Sequence, residues 1–136
     1  IASDLEFLCD FKPQMVGIGP FIPHRDTPLR DFSAGSADLT VFLLSLVRLA
    51  LPNVLLPATT ALGTVEGKGR QRGVLAGCNV VMPNLTPMSV RKDYLLYDNK
   101  VGTDSDAKDG LDLLRSQMEE IGYEVVTGRG DSPDKK

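Results

Sequence analysis

Two adjacent hydroxyl side chains, Thr59 and Thr60, follow an apolar run in the stretch VLLPATTALGT, residues 54–64. Paired hydroxyls can donate two hydrogen bonds to a carboxylate or another anion. The same residues are equally suited, as β-branched side chains, to finishing a strand. Spacing alone leaves both readings open. Further on, RKDYLLYDNK carries Tyr94 and Tyr97. On a helix their spacing puts both rings on one face. There they either wall a pocket and offer hydrogen bonds, or simply pack. His24 is the only histidine. It stands in a proline-rich loop with no second ligand at metal-binding spacing, and reads as structural or solvated. Arg70 and Arg72 lie in GKGRQRG, which has the glycines of a phosphate loop but not their order. They read either as anion ligands or as part of a solvated loop. Cys9 and Cys78 read as buried thiols, and Met15 and Met82 as core. RGDS, residues 129–132, is short enough to arise by chance. The chain contains no Ser-His-Asp order, paired-cysteine motif or metal-ligand cluster, so by itself it holds no complete catalytic constellation.

Regular elements must position these groups. A helix is expected over 1–11, ending before Pro13, because the residue preceding a proline is pushed out of the helical region. A strand over 14–19 follows. Ser36 is a good N-cap for the next helix, with Asp38 in its first turn. That helix carries Leu39, Phe42, Leu43, Leu46, Val47 and Ala50 at helical spacing, and Pro52 lies beyond it. Strands are predicted over 54–58 and 79–83. Between them lies a glycine-rich helix over 66–76, weak by propensity. A clear amphipathic helix over 111–121 stops at Gly122. A short strand over 123–126 is expected, with a flexible tail over 127–136.

Strands and helices alternate, and two of the strands are almost continuously apolar. This pattern predicts an α/β fold of parallel strands covered by helices. Three such units make about half of a (β/α)8 TIM barrel. A half barrel leaves open strand edges that invite pairing. The chain is therefore expected to complete itself with a missing N-terminal half barrel, or by self-association through those edges. Three stretches rich in proline, glycine or hydroxyls, MVGIGPFIPHRDTPL, VLLPATTALGT and NVVMPNLTP, fall at predicted strand carboxyl ends. Ligands of parallel α/β folds bind there. Proline and glycine at such ends fix a loop's shape and let backbone approach a ligand closely.

Composition narrows the function classes. The chain has 136 residues, enough for one ordinary domain, and 42% of them are hydrophobic. Mean hydropathy is -0.06, and no apolar run approaches the roughly 20 residues of a membrane span. A net charge of -3 without a basic cluster argues against nucleic acid as a partner. Two unpaired cysteines fit a reducing cytoplasm. The first residue is Ile1, no basic segment leads into an apolar core, and the chain opens in the middle of a helical pattern. The expectation is that no signal peptide is present and that something upstream is missing.

Together, MVGIGPFIPHRDTPL, LPNVLLPATTALGT, GVLAGCNVVMPNLTP and YLLYDNK resemble the C-terminal half of the HydE type of radical S-adenosylmethionine maturase, which serves FeFe-hydrogenase. The resemblance covers roughly residues 1–125 and is more distant to biotin synthase and methylornithine synthase. It implies that residues 1–126 are the C-terminal part of a radical S-adenosylmethionine barrel, including the region associated with biotin and thiamin synthesis. It also implies a 4Fe–4S cluster held by CxxxCxxC in the N-terminal half, and reductive cleavage of S-adenosylmethionine to a 5′-deoxyadenosyl radical. The radical would act on an iron complex carrying cysteine, CO and cyanide. Hydrogenase maturation proteins are the implied partners. Carried over residue by residue, Met15 lines the S-adenosylmethionine site, and Gly17, Gly19, Pro20 and Phe21 shape the loop beside the adenosine. Thr59 and Thr60 donate to substrate or to an anion. Met82, Tyr94 and Tyr97 line the cavity. The chain departs from the pattern in lacking CxxxCxxC, and Cys9 and Cys78 cannot replace three thiolates. No cysteine follows Cys78, so an auxiliary cluster is not expected, and the 136 residues alone are expected to be inactive. Two other readings stand beside this one. One is a methylornithine synthase-like mutase, and the other a binding or assembly module without chemistry.

Overall fold

A computed structural model describes residues 1–91, 93 and 107–132 of the chain. Helix α1 spans Ala2–Phe11 and ends where expected. Lys12 caps it with φ 50° and donates its N–H to the Leu8 carbonyl before Pro13 forbids another turn. Leu5 and Leu8 turn toward the core, and the rings of Phe7 and Phe11 stack with centroids 5.4 Å apart. Helix α2, Ala37–Ala50, starts as its sequence predicts: the Ser36 hydroxyl accepts from the Leu39 N–H at 3.2 Å. Such a cap is worth about 1 kcal/mol. Its last turn is tied down by Arg48, which donates to the Pro52 carbonyl at 2.6 Å and to the Gly77 carbonyl at 2.7 Å.

Three parallel segments follow one another across a small sheet. The first touches the second through one bridge, Met15 to Leu55, in which Val16 donates to the Leu55 carbonyl and Leu55 to the Gln14 carbonyl, each at 2.9 Å. The second continues into β1, Pro57–Ala58, which pairs with β2, Val80–Val81, in the register Pro57 to Val80 and Ala58 to Val81. Asn79 joins the two from its side chain, accepting the Leu56 N–H at 2.8 Å. Mixed helix with a parallel sheet is an α/β architecture, as predicted. The hydrogen-bonded strands are much shorter than the 14–19, 54–58 and 79–83 expected. Chemistry accounts for part of this: Pro57 has no N–H to give, and among the described residues the first segment has a strand neighbour on one side only. No strand forms over 123–126; that stretch is irregular.

Between β1 and β2 the chain makes two short helices where one was predicted. Helix α3 spans Thr60–Val65 and α4 spans Gly69–Leu75, so residues 66–68 form a turn rather than the start of a helix. The two helices pack closely because glycines line their contact. A Cβ at Gly73 would lie 3.3 Å from the Ala58 Cβ and 3.2 Å from Leu62 Cδ2. Helix α4 therefore rests directly on β1. Among the described residues two further helices follow, α5 over Met88–Arg91 and α6 over Ala107–Glu119. Helix α6 starts four residues earlier than predicted. It buries Leu114 and Met118, and Gly122, at φ 80°, turns the chain away from it.

The core lies on one face of the sheet. Val16, Val54, Leu56 and Ala58 meet Leu44 and Val47 of α2, Leu62 of α3 and Val74 of α4. Leu44, Leu56 and Leu62 are fully buried. Each contributes about 1.5–3 kcal/mol relative to an exposed position. Side chains alternate between faces along a strand. Met15, Leu55, Pro57, Val80 and Met82 thus belong to the opposite face, where Met15 is 49% and Met82 50% exposed.

Candidate functional site

The register of the sheet determines which candidate residues stand together. Met15 is level with Leu55, and Pro57 with Val80. Stepping two residues at a time toward the carboxyl ends puts Gly17, Pro57 and Val80 in one row and Gly19, Thr59 and Met82 in the next. Residues level with one another in a parallel pair share a face. For Gly19 and Thr59 the row is confirmed by contact, since a Cβ on Gly19 would come within 2.9 Å of Thr59 Oγ1 and 3.5 Å of the Ala61 Cβ. Only glycine allows the first loop to lie this close to Thr59. A Cβ on Gly17 would meet nothing within 4 Å, so the face above the first segment is open. The carboxyl ends therefore present a bare backbone strip, a threonine and a methionine side by side.

The loop after this strip is closed at its base. Gly35 donates its N–H to the Phe21 carbonyl at 2.8 Å, and a Cβ on Gly35 would lie 2.8 Å from the Phe21 nitrogen. Pro20 is buried beneath this junction, while Phe21 is half exposed. Within the loop His24 has a structural task, as its sequence context suggested. Its Nδ1 accepts the Asp26 N–H at 3.1 Å, and its carbonyl accepts the Thr27 hydroxyl at 2.9 Å.

Thr59 does more than finish a strand. It is the N-cap of α3, its Oγ1 accepting the Leu62 N–H at 3.3 Å. Thr60 opens the helix, and its Oγ1 accepts from the Arg70 guanidinium at 3.2 Å. A hydroxyl residue followed by Ala61 and Leu62 is a helix-start signal that the strand reading overlooked. Arg72 is taken up by an ion-paired cluster with Asp38 of α2, at 2.6 Å, and Glu66. Its pKa is pushed up by its hydrogen bonds to Asp38 and then Glu66. Arg72 thus ties α4 to α2 instead of binding an external anion. Tyr94 and Tyr97 lie outside the described residues.

Cys78 is buried as expected, 4% exposed. Burial pushes its thiol from 9.0 up to about 12, against a small opposing effect of Arg48. At pH 8 iodoacetamide should therefore modify half-buried Cys9 in the native protein and reach Cys78 only after unfolding. Equal native rates at the two sites would contradict the burial. The sign for stability follows from linkage. Above about pH 9 the unfolded thiol loses its proton while the folded one keeps it, so this contribution is intact below pH 9 and is lost as pH rises toward 12.

Among the described residues no three His, Cys, Asp or Glu side chains gather in a way that could hold a metal ion. The chain's two cysteines, one of them a buried neutral thiol, do not fit a three-thiolate iron–sulfur cluster. Among the described residues no helix is long and apolar enough to cross a membrane.

Comparison with known proteins gives this strip a context. No family model matches the chain. Over 101 residues, 74% of its length, the chain is 46% identical to the [FeFe] hydrogenase maturase subunit HydE of Thermotoga maritima. Over 86 residues, 63% of its length, it is 33% identical to the 3-methylornithine synthase of Methanosarcina barkeri. The matches span 29% and 24% of those proteins, so the chain corresponds to less than a third of either. Over these lengths the chain is similar to a stretch of each of the two proteins. The stronger of the two resemblances is to HydE, in agreement with the four quoted segments.

Proposed function

We propose that the chain is the C-terminal portion of a radical S-adenosylmethionine enzyme of the HydE type, which matures the FeFe-hydrogenase diiron centre. The observation that carries this reading is the 46% identity to HydE over 101 residues. The row of Gly19, Thr59 and Met82 at the carboxyl ends of parallel segments supports it. In this reading the chain is half of a (β/α)8 barrel. Its exposed sheet face, with Met15 and Met82, looks into the barrel, and the partner at the open edge is the N-terminal half barrel or, failing that, a second copy. Other hydrogenase maturation proteins would be its functional partners.

The residues fit a division of labour. Open space above Gly17 and the bare backbone of Gly19 suit a flat adenosine group, with Pro20 and Phe21 shaping the loop and Met15 beneath. S-adenosylmethionine, when bound to an enzyme of this class, supplies a 5′-deoxyadenosyl radical. The 4Fe–4S cluster that class requires belongs to the other half of the protein. This chain contributes walls that exclude water and hydroxyls that orient a substrate. Thr59 and Thr60 donate to that substrate, and Met82, Tyr94 and Tyr97 line its cavity.

The test uses the full-length protein with its cluster reconstituted anaerobically. S-adenosylmethionine should be cleaved to 5′-deoxyadenosine, and Thr59→Val with Thr60→Val should lower turnover of the maturase substrate by about tenfold or more, the worth of one or two lost hydrogen bonds to a charged group. Absence of cleavage in the wild type would overturn the enzyme reading and favour an assembly module. Unchanged substrate binding and turnover in the double variant would remove the threonines from the site.

A further inference from the structure

The direction of two hydrogen bonds at the Thr59–Thr60 pair carries a further step, which rests on the reading of these threonines as substrate contacts. Arginine has five N–H donors and no acceptor. In the bond between Arg70 and Thr60, at 3.2 Å, the hydroxyl oxygen must therefore accept. The Leu62 backbone N–H is likewise a donor only, so Thr59 Oγ1 must accept in its 3.3 Å bond. A hydroxyl has one proton and two lone pairs. In both threonines a lone pair is committed, and the proton is left to be donated.

The carbonyls of the two threonines each already accept one bond. The Thr59 carbonyl accepts the Gly63 N–H at 3.3 Å, and the Thr60 carbonyl accepts the Thr64 hydroxyl at 3.0 Å. The guanidinium also places a positive charge behind Thr60. A pair of hydroxyls biased toward donation, with a cation behind one of them, favours an acceptor that is negative and has two oxygens.

We propose that Arg70 is a positioning residue that orients the Thr60 hydroxyl so that Thr59 and Thr60 together donate to a carboxylate group of the ligand. Arg70 reaches Thr60 from α4, across the α3–α4 contact, where its stem packs over Gly63. A Cβ on Gly63 would lie 3.2 Å from Arg70 Cγ. Arg70 acts through the threonine and needs no contact of its own with the ligand.

The experiment measures binding of acetate, with neutral acetamide as the control, to the full-length protein and to four variants: Arg70→Met, Arg70→Lys, Thr60→Val, and Arg70→Met combined with Thr60→Val. Methionine keeps much of the packed stem and removes the donor. Loss of one charge-assisted contact should weaken acetate binding about tenfold in Arg70→Met and in Thr60→Val, with acetamide little affected. The double variant should be no weaker than Thr60→Val alone, because Arg70 has nothing left to orient. Arg70→Lys should retain affinity within about twofold, since an ammonium on a similar stem can still donate. A merely structural arginine would lower the unfolding midpoint without this pattern. Lost acetate binding in Thr60→Val but not in Arg70→Met would overturn the role of Arg70 alone. Multiplying effects in the double variant would do the same, because they mean a direct contact. Unchanged acetate binding in Thr60→Val would overturn both this role and the reading beneath it. Should Arg70→Met fail to fold, Arg70→Leu, which also lacks a donor, takes its place alone and combined with Thr60→Val, and the same outcomes decide.

Discussion

Replacing Gly69 by alanine is expected to destabilise the protein by about 2–3 kcal/mol, the range of an overpacked core. The sign is informative, because glycine to alanine inside a helix ordinarily gains up to about 1 kcal/mol. Here the new Cβ would fall 2.2 Å from the Leu62 carbonyl oxygen and 2.8 Å from the Leu62 carbonyl carbon. Both are backbone atoms and cannot rotate aside. That oxygen also accepts the Glu66 N–H at 3.1 Å, the bond that ends α3. Helices α3 and α4 would have to part, opening the contact among Leu62, Gly73 and Ala58. Gly67, two residues earlier, is the control: a Cβ there would meet nothing within 4 Å. Urea unfolding should show a lower midpoint for Gly69→Ala with an unchanged slope, and Gly67→Ala should match the parent within about 0.5 kcal/mol. Equal stability of the two variants would mean that the close α3–α4 approach does not exist in solution. Relief by Leu62→Ala is not expected, since the clash is with backbone.

The same region marks where the sequence was legible and where it was not. Helices α1 and α2 were readable because their signals are local. Pro13 ends one, and the Ser36 hydroxyl with the spacing of Leu43, Leu46 and Val47 defines the other. The end of α6 was equally plain from Gly122. The helix expected over 66–76 was misplaced, and the one over 60–65 missed, because the glycines there serve a tertiary contact. By propensity they argue weakly for helix, yet Gly69 and Gly73 allow two short helices to touch each other and β1. No single-chain pattern distinguishes such a contact from a loop. Neither the strand-end nor the anion-donor reading of Thr59 includes its N-cap role, because the apolar run before it dominates, although a hydroxyl ahead of Ala61 and Leu62 is also an N-cap. Of the candidate site, the placement of Gly19 and Thr59 at strand carboxyl ends was legible, but their closeness was not, because it depends on the register of the pairing. Nor was the bond from Arg70 to Thr60, because it crosses ten residues and depends on how α4 folds back over α3. The half barrel belongs to the proposed reading, in which a longer protein supplies the remaining strands.

The division between the two faces of the sheet makes the other large prediction. Leu56→Ala should cost about 3–4 kcal/mol, within the range for a leucine deleted from a packed core. Leu56 is fully buried, and both its N–H and its carbonyl are bonded to the β2 segment. Its N–H goes to Asn79 Oδ1 at 2.8 Å, and its carbonyl accepts the Asn79 and Val80 N–H groups at 3.0 and 3.3 Å. These bonds fix the backbone, so the site cannot collapse to fill the space left behind, and the cavity term persists. Met15 stands one parallel segment away on the opposite face and is 49% exposed. Met15→Ala should cost less than about 1 kcal/mol, because half of its surface already lies against solvent. If that face looks into the barrel of a longer protein, Met15→Ala should instead weaken S-adenosylmethionine binding in the full-length protein while leaving its urea midpoint nearly unchanged. Leu56→Ala should do the reverse. A Met15→Ala variant as unstable as Leu56→Ala would mean that Met15 is packed into a core that the face assignment denies. The alternation of side chains along the sheet would then have been read in the wrong phase, and Gly17, Gly19, Thr59 and Met82 would move with it to the helix side.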